Sequence, residues 1–139
     1  MPKHMSELNV EIVRRVYAAS DRGDWDALFG FADSAIEWES DPRVPNAGTY
    51  RGREEIQRFM EDQAAPFDRS VTEPEHLIAK GDQVVALVRI RRRVRDTSAE
   101  IELRIGHLWT LHDGKVVRGQ AFAERERALV AAGLPRSIV

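Results

Sequence analysis

A chain of 139 residues with 42% hydrophobic and 32% charged side chains has the balance of one globular domain that buries its own core, not of a disordered or low-complexity segment. It contains no cysteine, which excludes disulfide scaffolds, thiol nucleophiles, zinc-thiolate sites and iron-sulfur clusters together. Its 21 basic and 23 acidic residues leave a formal charge of -2, too little to draw the whole chain to nucleic acid or anionic lipid.

No run approaches the ~18 apolar residues of a bilayer span, and the N-terminus lacks a signal-peptide core, so a cytoplasmic protein off the membrane is expected. Residues 1–5 read as a leader and 6–139 as a single domain. Ser6 is placed to cap a helix whose Leu8, Ile12, Val13, Val16 and Tyr17 recur at helical spacing. Gly23 closes it, and Asp24 caps a short second helix with Trp25, Leu28, Phe29 and Ala32 on one side. Ile36, Trp38 and Ser40 then alternate with Glu37, Glu39 and Asp41 as in a strand with two unlike faces. Pro42, Pro45, Asn46 and Gly48 force a loop. A third helix from Gly52, with Ile56, Phe59, Met60 and Gln63 on one side, runs until Pro66 stops it.

The rest, up to residue 122, reads as sheet. Pro74 marks Val71 to Ala79 as an edge strand, and a turn at Lys80-Gly81-Asp82 leads into long strands at 83–95 and 99–111. Asp113-Gly114 makes a tight hairpin turn into Lys115 to Phe122. A last helix, 124–132, ends at Gly133 and Pro135. Helices followed by an antiparallel meander argue for an α+β domain with helices on one face of a bent sheet.

Register assigns the faces, because a slip of one residue turns every side chain over. Pairing Arg95 with Glu100 sets Arg93 opposite Glu102 and Arg91 opposite Arg104. The other face then holds Arg92 with Leu103, Ile90 with Ile105, Val88 with His107 and Ala86 with Trp109. Counting back from Asp113-Gly114 sets Trp109 opposite Arg118, His107 opposite Gln120 and Ile105 opposite Phe122, with Glu124 just past the strand end. Several polar groups thus enter one apolar face, where each costs free energy unless paired, which argues for a cavity between sheet and helices. The reverse face, with Val85, Leu87, Leu108, Thr110, Val117, Gly119 and Ala121, reads as the interface of a homodimer.

The element order, with Arg22-Gly23-Asp24-Trp25, Tyr50-Arg51-Gly52-Arg53 and Asp113-Gly114-Lys115-Val116-Val117, resembles a SnoaL-like domain of the nuclear transport factor 2-like superfamily, over Ser6 to Leu134. The resemblance implies a cone-shaped barrel with a deep pocket, about three N-terminal helices on the concave face of a strongly bent antiparallel or mixed sheet, and a short C-terminal helix. That superfamily includes ketosteroid isomerase, polyketide cyclases, epoxide hydrolases and scytalone dehydratase. Ketosteroid isomerase pairs an Asp base with an oxyanion site of Tyr and protonated Asp. Asp41-Pro42 resembles the Asp-Pro that bears the base, and His107 falls near the second acid. Val16 stands at the place of the Tyr, with Tyr17 displaced by about 100° around the helix. Glu124 is the nearest equivalent of the polyketide cyclases' acid/base carboxylate.

Asp41, His107 and Glu124 are accordingly the candidate acid/base groups. Trp38, Tyr50, Trp109, Arg118, Gln120 and Phe122 are the candidates for holding a small hydrophobic, oxygenated molecule. Each has a plainer role open to it. Asp41 can start a turn, His107 can be a core histidine satisfied by Gln120, Glu124 can complement a helix dipole, and the aromatics can be simple core. The basic run Arg89 to Arg95 alternates faces opposite Glu100 and Glu102, as a paired, solvated strand does, so nucleic-acid binding is not expected. His4, His76, His107 and His112 have no metal-ligand spacing, and neither a metal nor a cofactor is expected. Two functions remain in view: a cofactor-independent isomerase, cyclase or hydrolase, and a dimeric domain that binds a hydrophobic metabolite without turnover.

Overall fold

In the computed structural model, which describes residues 3–43 and 47–137, helix α1 (Lys3–Arg22) buries Ile12, Val13, Val16, Tyr17 and Ala19 on one stripe. The helix begins ahead of Ser6, so that residue sits within its first turns and caps nothing. Gly23 adopts φ 67°, and the Asp24 carboxylate accepts from Ala27 N at 3.1 Å to start α2 (Trp25–Gly30). Ala32, expected on that short helix, instead opens strand β1 (Ala32–Ser40), whose Ile36, Trp38 and Ser40 are buried. Of the loop that follows, Pro45 and Asn46 lie outside the described residues. Strand β2 (Gly48–Arg51) pairs antiparallel with β1 and was hidden from sequence reading by its length of four residues. Helix α3 (Gly52–Ala64) then buries Ile56 and Phe59.

Four longer strands complete one six-stranded mixed sheet: β3 (Phe67–Lys80), β4 (Gln83–Val94), β5 (Glu100–His112) and β6 (Lys115–Phe122). Their order is β2-β1-β6-β5-β4-β3, with β1 and β6 parallel and every other pair antiparallel, so the sheet is bounded by β2 and β3 and does not close. Pro74 does lie on the edge strand, beside an irregularity in its pairing. The concave face carries Val84, Ala86, Val88, Ile90 and Trp109 against Val13, Val16, Leu28, Ile56 and Phe59 of the three helices. Burying each large aliphatic side chain there contributes about 1.5–3 kcal/mol, which fixes which face of the sheet turns inward.

Two register expectations are corrected. Strands β4 and β5 pair Arg93 with Glu100, Arg91 with Glu102 and Ala86 with His107, two residues away from the expected alignment. Arg95 leaves the ladder because its N–H donates to Pro66 O at 2.9 Å and its Nε to Ala65 O at 3.1 Å. A shift of two preserves the faces, so Arg92, His107 and Trp109 still share the concave side. Between β5 and β6 the alignment slips by one: His112 pairs with Lys115 and Leu111 with Val116, but Thr110 pairs with Arg118, Leu108 with Gln120 and Gly106 with Phe122. The extra residue, Val117, turns the rest of β6 over.

Gly119 and Ala121 therefore face inward, and Arg118, Gln120 and Phe122 face outward. A Cβ on Gly119 would lie 2.6 Å from Trp38 Cε3 and 3.0 Å from Trp109 Cζ3, so only glycine lets the two indoles meet over the strand. Outside the sheet, α4 (Arg125–Ala131) covers Val85, Leu87 and Leu108 with Ala128 and Leu129, and Ala132 follows it onto the same cluster. Of the outer surface expected to face a second copy, Val85, Leu87 and Leu108 are thus covered by the chain's own last helix.

Candidate functional site

The space left between the concave face and helices α1 and α3 is a cavity of about 450 Å3. Its walls include Val16, Trp38, Phe59, Met60, Ile90, Ile105 and Trp109, with Tyr17, Ser40 and His107 set among them. Asp21, Arg22, Gln63, Asp68, Arg69, Ser70, Thr72 and Arg92 bring polar groups to the same space. An apolar hollow with a few convergent polar groups is the usual form of a small-molecule site. A shallower concavity on α3, between Arg51 and Glu61, is lined almost wholly by charged and polar side chains and has no such wall.

Three of the buried groups form one hydrogen-bonded chain. Trp109 Nε1 donates to the Tyr17 hydroxyl at 2.9 Å, and that hydroxyl lies 2.6 Å from His107 Nδ1. An indole N–H can only donate, so the Tyr17 oxygen accepts from Trp109; its own hydrogen goes to His107 Nδ1 when the imidazole is the Nε2–H tautomer, and Nδ1–H donates to it in the other. Burial pushes the His107 pKa down to about 4 and raises that of Tyr17 above the ordinary phenol range, so both are neutral near pH 7. In the tautomer where Nδ1 accepts, the neutral imidazole carries its hydrogen on Nε2 and offers it as a donor. The ring is held in place by Tyr17, stacked at 5.8 Å, and by the edges of Trp38 and Trp109, at 5.3 and 5.9 Å between centroids. Trp38 Nε1 is satisfied by Ser40 Oγ at 3.0 Å.

The spacing of Tyr17 along α1 marks a buried position and says nothing of a hydroxyl that meets a histidine 90 residues away. Nor does the cavity gather all the residues singled out from the sequence. Trp38, His107 and Trp109 line it; Asp41, Tyr50, Arg118, Gln120, Phe122 and Glu124 are not among its lining residues. The Asp41 carboxylate accepts from Arg43 N at 3.0 Å and from Ala123 N at 3.2 Å, tying the end of β1 to the chain leaving β6. Those bonds, the Arg43 N–H foremost, hold its pKa below the usual carboxylate range, the reverse of what a desolvated base requires. Glu124 precedes α4, makes no side-chain cap bond, and pairs with Arg43, whose guanidinium lowers its pKa.

Tyr50 packs on Phe59 at 4.4 Å between centroids, behind the cavity wall. Arg118 donates to Glu39 at 2.9 Å on the outer face, and Phe122 packs with the cluster under α4. The β6 irregularity is the reason that Arg118, Gln120 and Phe122 leave the cavity side. Arg92, which the alternation of β4 turns inward, is among the lining residues. Among the described residues, no group of three or more His, Cys, Asp or Glu side chains could hold a metal ion, and no helix is long and apolar enough to cross a membrane.

Residues 13–119 match the model of the SnoaL-like domain. No curated protein matches the chain. Among solved structures, an NTF2-like protein from Burkholderia thailandensis E264 is 32% identical, with a TM-score of 0.73 over 91% of this chain and 98% of that one. A putative SnoaL-like polyketide cyclase from Jannaschia sp. CCS1 is 19% identical, with a TM-score of 0.76 over 88% of this chain and 89% of that one. A hypothetical protein with a ketosteroid isomerase-like fold from Catenulispora acidiphila DSM 44928, solved with trimethylamine, is 17% identical, with a TM-score of 0.72 over 91% of this chain and 95% of that one. The last two likenesses are of fold. By its matched residues and its mixed sheet under three helices, the chain belongs to the SnoaL-like domain family.

Proposed function

We propose that the cavity holds a small, largely apolar molecule bearing a carbonyl oxygen, and that the protein moves a proton beside that oxygen without a cofactor, as an isomerase, cyclase or hydrolase of the acid/base kind does. The observation that carries this reading is the chain from Trp109 through Tyr17 to His107, at 2.9 and 2.6 Å, ending on a neutral imidazole at the cavity wall. A preorganised neutral imidazole donating from Nε2 polarises a carbonyl and holds the enolate oxygen that forms from it. Its low pKa makes His107 a poor base at neutral pH, so the proton needs another acceptor.

Two carboxylates line the cavity. Asp68 accepts from Arg93 Nε at 2.8 Å, which holds its pKa down. Asp21, with Oδ1 accepting from Thr72 N at 3.0 Å, has its pKa raised by burial and so keeps more affinity for a proton. In the step proposed, a proton on the carbon next to the carbonyl passes to Asp21, the C–H electron pair forms the C=C bond of the enolate, the carbonyl π pair moves onto the oxygen, and His107 Nε2–H holds that oxygen. Trp38, Phe59, Ile90 and Ile105 keep water from the enolate.

The test uses 2-tetralone, an apolar bicyclic ketone with acidic α-hydrogens, in deuterium oxide. Proton NMR should show α-exchange faster than the buffer rate with the wild-type protein, and near the buffer rate with His107→Phe or Asp21→Asn. His112→Ala, at the exposed end of β5, should change nothing. Saturable binding with no acceleration would replace catalysis by simple binding, and no binding at all would remove the cavity from consideration.

A further inference from the structure

Arg92 stands out among the charged groups of the cavity. It is half-buried, its Nε donates to Ser70 Oγ at 3.3 Å, and its guanidinium lies 5.2 Å from the centre of the Phe67 ring. No carboxylate among the described residues lies within 4 Å of it, whereas Arg89, Arg91 and Arg93 on the same strand pair with Glu102, Glu73 and Asp68. Burial lowers its pKa, and no acid relieves that cost.

The other lining charges leave the region positive. Arg22 is paired with Asp24 at 3.6 Å and Asp68 with Arg93, so Arg69 and Arg92 stand against Asp21 alone. Along the concave face Arg92 pairs with Ile101 and His107 with Ala86, six residues apart on β4, or about 20 Å of strand, less the reach of the arginine side chain. Ile90 and Ile105 line the stretch between.

We propose that the natural ligand is an organic acid: an apolar ring system with a carboxylate or comparably acidic oxygen held by Arg92, its carbonyl end turned toward His107. This rests on the cavity reading above and adds the charge of the ligand to it. A guanidinium offers paired N–H donors to such an anion, and the surrounding apolar wall strengthens the attraction by excluding water.

The test compares 2-naphthoate with 2-naphthamide, a neutral analogue of nearly the same shape, by quenching of tryptophan fluorescence from Trp38 and Trp109. Wild-type protein should bind the acid about tenfold to a hundredfold more tightly than the amide, the range of one charge-assisted pair. Arg92→Gln should abolish that preference with amide binding retained, Arg92→Lys should keep part of it, and Arg91→Gln, on the outer face, should keep all of it. Equal binding of acid and amide to the wild type would overturn the ligand's charge while leaving the cavity reading intact. Persistence of the preference in Arg92→Gln would overturn the role of Arg92. Failure of both naphthalenes and of 2-tetralone to bind would overturn the cavity reading and this inference with it.

Discussion

Acid should destabilise this protein through His107 in a window set by its burial. The ring contacts Tyr17, Trp38 and Trp109. Burial, with no compensating acid, is what lowers its pKa from the ordinary 6.5 to about 4. Between those values the unfolded chain takes up a proton that the folded chain refuses. Stability attributable to His107 is therefore complete above about pH 6.5, falls as the pH drops, and stops falling near pH 4. At about 1.4 kcal/mol per pH unit the full interval amounts to about 3 kcal/mol. Urea unfolding at a series of pH values from 7 to 4, for wild type and His107→Gln, isolates this effect, because the carboxylates titrate alike in both. The wild type should lose about 3 kcal/mol more than the variant over that range. Parallel pH profiles would refute the claim that the folded protein holds His107 neutral.

Tyr17→Phe removes the hydroxyl between Trp109 Nε1 and His107 Nδ1, leaving both buried nitrogens without that partner, and should cost about 1–3 kcal/mol in urea unfolding. It should also slow 2-tetralone exchange, since the imidazole loses the bond that fixes its tautomer. Gly119→Ala places a methyl against Trp38 and Trp109 and should cost about 1–3 kcal/mol, read as a lowered urea midpoint. Asp41→Ala frees the Arg43 and Ala123 N–H groups and should destabilise by about 1–3 kcal/mol, with the affinity for 2-naphthamide unchanged. A change in that affinity larger than the loss of folded protein would bring Asp41 back toward the ligand.

The inward placement of His107 and Trp109 was legible because alternation in β4 and β5 tolerates an error of two residues. The correct turn between those strands could not be read, since Arg95 is drawn out of the ladder by carbonyls of Ala65 and Pro66, distant in sequence. The outward placement of Arg118, Gln120 and Phe122 was not legible. A single extra residue at Val117 reverses them, and no composition signal marks it. Gly119 was the available hint, because two tryptophans close over it, but that requires knowing where Trp38 lies. Tyr17 was hidden by its own helix, whose spacing reports that a side chain is buried and says nothing of what its hydroxyl meets. Asp41 illustrates the converse: Asp-Pro resembled a base, and the bonds to Arg43 and Ala123 show a carboxylate held low in pKa at a strand end.

The central claim is that a buried imidazole, fed by Tyr17 and Trp109, presents Nε2–H to the cavity. Long-range proton-nitrogen NMR of ring-labelled His107 tests it most directly. The account predicts the Nε2–H tautomer at pH 7, no titration until the pH approaches 4, and a shift of Nε2 larger than that of Nδ1 when 2-tetralone is added. A ring that titrates near 6.5, or one protonated on Nδ1 at pH 7, would contradict it.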